Sequence, residues 1–110
     1  PNQSAFDMED GNGDPSYRLL DAETIESGYT ITHDYYDRKD AEKDLNVVFP
    51  LARLKEMRDA GCIGAVAARH ISFMGHIDGP HVRTLIHETA PAAADLLKKD
   101  GVDAVVLSPA

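Results

Sequence analysis

Two short apolar runs limit most strongly how this chain can fold: IGAVAA at 63–68 and VDAVVL at 102–107, which follow Gly61 and Gly101. Apolar runs of this length, bounded by glycine and polar residues, suit buried strands. Between them Val82, Leu85, Ile86, Ala93, Leu96 and Leu97 fall near one helical face, and Lys98, Lys99 and Gly101 mark a helix C-terminus. A strand, a crossover of more than about a dozen residues and a second strand make the pattern of a right-handed parallel βαβ unit. The expected fold class is therefore α/β, a layered fold with a mostly parallel sheet, here as a partial or truncated domain. Pro91 bears on the crossover in one of two ways. Either it kinks the helix, or Thr89 caps a second helix with Pro91 in its first turn.

Upstream, Pro50 stands at the first turn of a helix running to Ala60, with Leu51, Leu54 and Met57 on one face and Gly61 as its stop. Asp37 is placed to cap a shorter helix through Asp40 to Leu45. Residues 17–20 and 29–33 read as short strands, and residues 1–16 as a polar loop. Gly11-Asn12-Gly13 has no following lysine and no third glycine in position, so it reads as a turn rather than a phosphate loop. The expected organisation is a single fragment of a larger protein, acidic and loop-rich over 1–46 and helix-strand-helix-strand over 47–110.

With three Phe, four Tyr and no Trp, the core has to rely on Leu, Val, Ile and Ala. The formal charge of −8 resides wholly in residues 1–46, which carry 12 acids and four bases, while the remainder is neutral. Such a balance disfavours nucleic-acid backbones and anionic lipid as partners. The sequence has neither an apolar run of membrane-spanning length nor a basic start followed by an apolar centre. Cys62 is the single cysteine, which excludes an internal disulfide and a zinc site built on cysteines; a reducing, cytoplasmic location is expected.

The chemistry-bearing residues gather after the first apolar run, where open parallel sheets bind ligands. Arg69 can hold a carboxylate by two hydrogen bonds and His70 can exchange a proton near neutral pH, although a strand-end ion pair and a hydrogen-bonded histidine use the same residues. Phe73, Met74 and Gly75 can wall a small pocket or cover the sheet edge. His33, beside Asp34 and Asp37, is a second acid-base group, and Asp44 with Asn46 can fix a loop or face a polar substrate. His76 and His81 flank a Gly-Pro turn without a ligand pattern that identifies a metal. Glu88 reads as surface charge, and Cys62 as packed rather than reactive.

The phrases DLNVVFP at 44–50 and ARHISFMG at 68–75, with the stretches 7–18, 32–54, 61–77 and 101–107, resemble the glycine/sarcosine/betaine reductase selenoprotein B family, which includes selenocysteine-free relatives. The resemblance implies the substrate-specific component of an oxidoreductase, working with a pyruvoyl-containing partner on a small carboxylated amine. A selenol attacks the substrate α-carbon, an amine leaves, and the selenium-bound group passes to another subunit. The resemblance also implies a selenocysteine or cysteine shortly after the 102–107 run, beyond Ala110. The 110 residues alone are then expected to be inactive and to hold no cofactor, and to associate with a missing segment of the same protein or with other reductase subunits, possible oligomerisation included. Carried onto this chain, it raises His33 and His70 as catalytic residues and Asp44, Asn46, Arg69, Phe73, Met74 and Gly75 as substrate-binding ones. The competing expectation is a noncatalytic binding or assembly component of an oxidoreductase complex.

Overall fold

The computed structural model describes residues 3–29, 31 and 37–109. The first element, β1 (Tyr17–Asp21), ends on Asp21, whose carboxylate accepts from the N–H groups of Glu23 and Thr24 and so caps α1 (Ala22–Ser27). Sequence patterning passes over α1. Its signal is the capping aspartate followed by Ala22 and Ile25, the two residues the helix buries.

The short α2 (Lys39–Lys43) has Arg38 at its N-cap without a side-chain cap bond, the expected cap Asp37 lying one residue earlier with its carboxylate accepting from the Lys39 N–H, and it stops short of the expected Leu45. A 3-10 turn (Leu45–Val47) then leads through Phe49 and Pro50 into α3 (Leu51–Asp59). Leu51 buries nearly all of its surface against Ala22 and Ile25, with Leu20, Leu45, Phe49 and Val66 packed around them. Full burial of one leucine contributes about 1.5–3 kcal/mol. Helix α3 closes with Gly61 at φ +77° and with bonds from Gly61 N–H to Arg58 and Cys62 N–H to Met57. This is the two-bond ending in which a left-handed glycine satisfies the last carbonyls.

The second strand, β2 (Arg69–Phe73), pairs with β1 in antiparallel fashion, from Tyr17 opposite Phe73 to Asp21 opposite Arg69. Among the described residues the sheet has these two strands and is antiparallel, which overturns the expected mostly parallel sheet. The run 63–68 is irregular chain that precedes the strand, and 102–107 is irregular and exposed. The reason lies in the side chains. Four of the six residues in 63–68 are glycine or alanine, which give little for a neighbouring strand to pack on. The sequence RHISF alternates instead, so that Ile71 meets Leu19 and Phe73 meets Tyr17 across the ladder. The expected strand at 29–33 falls largely outside the described residues, and Tyr29 and Ile31 are not in a strand.

The crossover helix is present but has a different form. It runs as α4 (His81–Thr84), a π-helical turn (Leu85–Thr89) and α5 (Ala90–Lys99). Thr89 is helical and does not cap; its hydroxyl donates to the Pro15 carbonyl at 2.7 Å. The wide turn gives the Pro91 ring room beside the carbonyl four residues earlier, so the proline is accommodated without a break. It also rotates one half of the helix against the other. The single apolar face read from sequence is split: Ala93 is buried, while Val82 and Ile86 are exposed. Gly101, at φ +73°, closes α5 with the same pair of bonds that ends α3.

Candidate functional site

Strand alternation decides how the residues of β2 can act. Arg69, Ile71 and Phe73 share one face of the hairpin with Tyr17, Leu19 and Asp21, whereas His70 and Ser72 share the other with Arg18 and Leu20. Arg69 and His70, adjacent in sequence, therefore project to opposite faces.

Arg69 already holds a carboxylate. Its Nε and Nη2 donate to Asp100 at 2.8 and 2.5 Å, a two-pronged pair that ties the start of β2 to the end of α5. The bond to Asp100 is the main reason the guanidinium pKa is raised. Both side chains remain partly exposed, at 36% and 27%, so the pair acts more as a geometric tie than as a large source of stability.

His70 lies against the core. Its ring meets Phe49 edge-to-face, with centroids 5.1 Å apart and planes at 81°. Nε2 is shielded from solvent without a partner, and the Ala67 backbone acts on the ring electrostatically. Burial lowers the imidazole pKa, with the Ala67 backbone and the Asp21 charge opposing that shift, so the neutral form is favoured. A half-buried imidazole whose neutral form is favoured and whose shielded Nε2 has no partner is the strongest sign of chemistry among the described residues.

Asp44 and Asn46 form a relay. The Asp44 carboxylate accepts from Asn46 N–H and Nδ2 at 3.0 and 2.8 Å, which holds its pKa down. Asn46 Oδ1 in turn accepts from Ala52 N–H at 2.9 Å, serving the first turn of α3 in place of Pro50, which makes no side-chain cap. Both residues order the turn that delivers Phe49 to His70. Phe73 packs against Tyr17 with centroids 5.8 Å apart, and Met74 Sδ accepts from the Asp14 N–H at 3.2 Å. Gly75 is exposed, as is Cys62, which sequence had placed in the packed interior. His33 lies outside the described residues.

A feature not recognised from sequence is a clasp between loop 7–16 and loop 74–81. Gly13 bridges Ile77, Asp78 N–H donates to the Asn12 carbonyl, His76 Nε2 donates to the Gly11 carbonyl at 3.2 Å, and His81 Nε2 meets Asp10 Oδ2 at 2.7 Å. Gly13 is at φ +82°, and a β-carbon there would lie 1.9 Å from the His76 carbonyl oxygen, so no other residue fits. At the root of the clasp, burial disfavours the Asp14 carboxylate. Bonds from the Ser16 hydroxyl, the Asp7 and Ser16 N–H groups and the charge of Arg18 nevertheless bring its pKa to about 2. The clasp fixes the loop that carries Met74 and Gly75. Neither His76 nor His81 belongs to a cluster able to hold a metal among the described residues.

Residues 14–110 match the family described as glycine/sarcosine/betaine reductase selenoprotein B. The chain belongs to that family. D-proline reductase subunit gamma of Acetoanaerobium sticklandii is 35% identical over 96 residues, covering 87% of this chain and 39% of the relative. This member of the selenoprotein B family thus spans about two fifths of the length of the curated relative it matches. No solved structure matches it. Among the described residues no helix is long and apolar enough to cross a membrane.

Proposed function

We propose that this chain forms part of a reductase component that holds a small amino-acid-derived substrate for attack by a thiol or selenol supplied outside these 110 residues. The observation that carries the reading is His70, a neutral imidazole with a shielded, unpartnered Nε2, within a chain of a reductase family. The name of the D-proline reductase subunit supports a small amino-acid substrate and assembly with other subunits. The single exposed Cys62 has no second thiol to work with, which favours a nucleophile from elsewhere.

In this reading His70 moves a proton twice. Nε2 takes the proton of the thiol or selenol, and the resulting anion attacks the carbon that bears the amine. As the new bond to carbon forms, the carbon–nitrogen bond breaks with its electron pair on nitrogen. The leaving amine takes its proton from the imidazolium, which restores neutral His70. Thiol or selenol plus amine give a carbon adduct plus free amine, with no further reductant in this step. Met74 and Gly75, held by the clasp, border the substrate; Arg69 serves by keeping α5 against β2.

His70→Gln in the complete protein with its partner subunits tests the assignment. Turnover is expected to fall about 100-fold or more with substrate affinity little changed; unchanged turnover sinks the role. Thiol and selenol labelling followed by peptide-mass mapping identifies the nucleophile. A second reading, a noncatalytic assembly component, draws on the exposed Val105, Val106 and Leu107. Absence of any reactive thiol or selenol in the complete protein would favour it.

A further inference from the structure

Phe49 packs edge-to-face on the His70 ring with centroids 5.1 Å apart, and Nε2 is shielded without a partner. From this contact we infer that Phe49 is a positioning residue for His70 that shields Nε2, and that with the ring proton on Nδ1 toward the Ala67 carbonyl, Nε2 is a bare acceptor that meets a reactant only when Phe49 swings aside. The functional consequence rests on the reading of His70 given above; the geometry does not. Nε2 has no hydrogen-bond partner, so the influence of the Ala67 backbone falls on the Nδ1 side, and its direction is that of a carbonyl acceptor. A carbonyl can only accept, and a neutral imidazole carries one ring proton, which leaves Nε2 without one.

Phe49 is built to move as a side chain and not as a segment. Its N–H donates to the Leu45 carbonyl and its own carbonyl accepts from Leu51, both at 2.8 Å, so its backbone is pinned on each side. The pinning comes from the Asp44–Asn46 relay before it and from α3 after it. Two stretches far apart in sequence, 44–50 and 68–75, thereby become one device: the first carries the cover and the second the base. Asp21, across the ladder from Arg69, is the charged group whose field reaches the ring.

Diethyl pyrocarbonate, which modifies unprotonated imidazole nitrogen, reads the cover directly when the products are mapped by peptide mass. With closure by Phe49, His70 is expected to react at least roughly tenfold more slowly than the exposed His87, and Phe49→Ala to remove most of that protection while His87 keeps its rate. Phe49→Leu should give an intermediate rate. Long-range ¹⁵N spectra of the unaltered protein should show Nδ1 protonated and Nε2 bare. A His70 as reactive as His87, protection unaffected by Phe49→Ala, or a proton on Nε2 would each overturn the proposal. If Phe49→Ala accelerates every histidine together, the fold has opened, and Phe49→Leu with the ¹⁵N spectra decides. None of these readouts depends on turnover, so an active His70→Gln protein would remove the catalytic role while leaving the cover standing.

Discussion

Because burial lowers the pKa of His70 below its ordinary 6.5, the unfolded chain binds the proton more readily than the folded one. Stability therefore rises with pH through this group: its contribution is complete above about pH 6.5 and is lost as the pH falls through the lower folded value. Thermal unfolding followed from pH 7.5 to pH 5 should show that decline, and His70→Phe should flatten it. At the clasp, Gly13→Ala places a β-carbon on the His76 carbonyl and forces a left-handed backbone on alanine. We expect a loss of at least about 1–3 kcal/mol, read by chemical denaturation, with faster exchange of the Asp78 amide. Sequence singles out His70 as a candidate, but not the residues that pack around it. Ala67 and Phe49 are featureless in a linear reading, and the separation of Arg69 from His70 follows only once the segment is known to be a strand.

The elements that sequence located well are those whose signals are local. Helix α3 carries its proline, its apolar spacing and its closing glycine within a dozen residues, and α2 carries an aspartate just ahead of its first turn. The strands were harder, since a strand is defined by its partner, and the apolar content of 63–68 and 102–107 outweighed the alternation in RHISF. The cap of α3 is also not local: Asn46→Ala should cost about 1 kcal/mol although the residue lies outside the helix, which equilibrium denaturation would register. The tie between β2 and α5 can be tested by reversal. Arg69→Asp and Asp100→Arg should each weaken the fold, and the double variant should recover part of the loss; simple additivity would show that the tie is idle.

At the scale of the molecule, the chain exposes 7706 Å², against about 6,000 Å² for a folded monomer of its mass. Leu107 is 85% exposed, and Val105 and Val106 before it are also uncovered. We expect amides in 103–107 to exchange rapidly in the 110-residue chain and to be protected in a polypeptide of the relative's length or in complex with partner subunits; equal exchange in all three would show that this run is a permanent surface. The clasp and the hairpin bear on biosynthesis. The ties of loop 7–16 reach 71 residues ahead to His81 and 74 ahead to Thr89. At ribosomal speeds of about 5–20 residues per second, the nascent N-terminal segment waits several seconds for those partners to be made. Its 12 acids against four bases within 1–46 keep the waiting segment mutually repelling and hydrated, so the same charges that later cap and clasp the finished fold oppose premature collapse of the unfinished one.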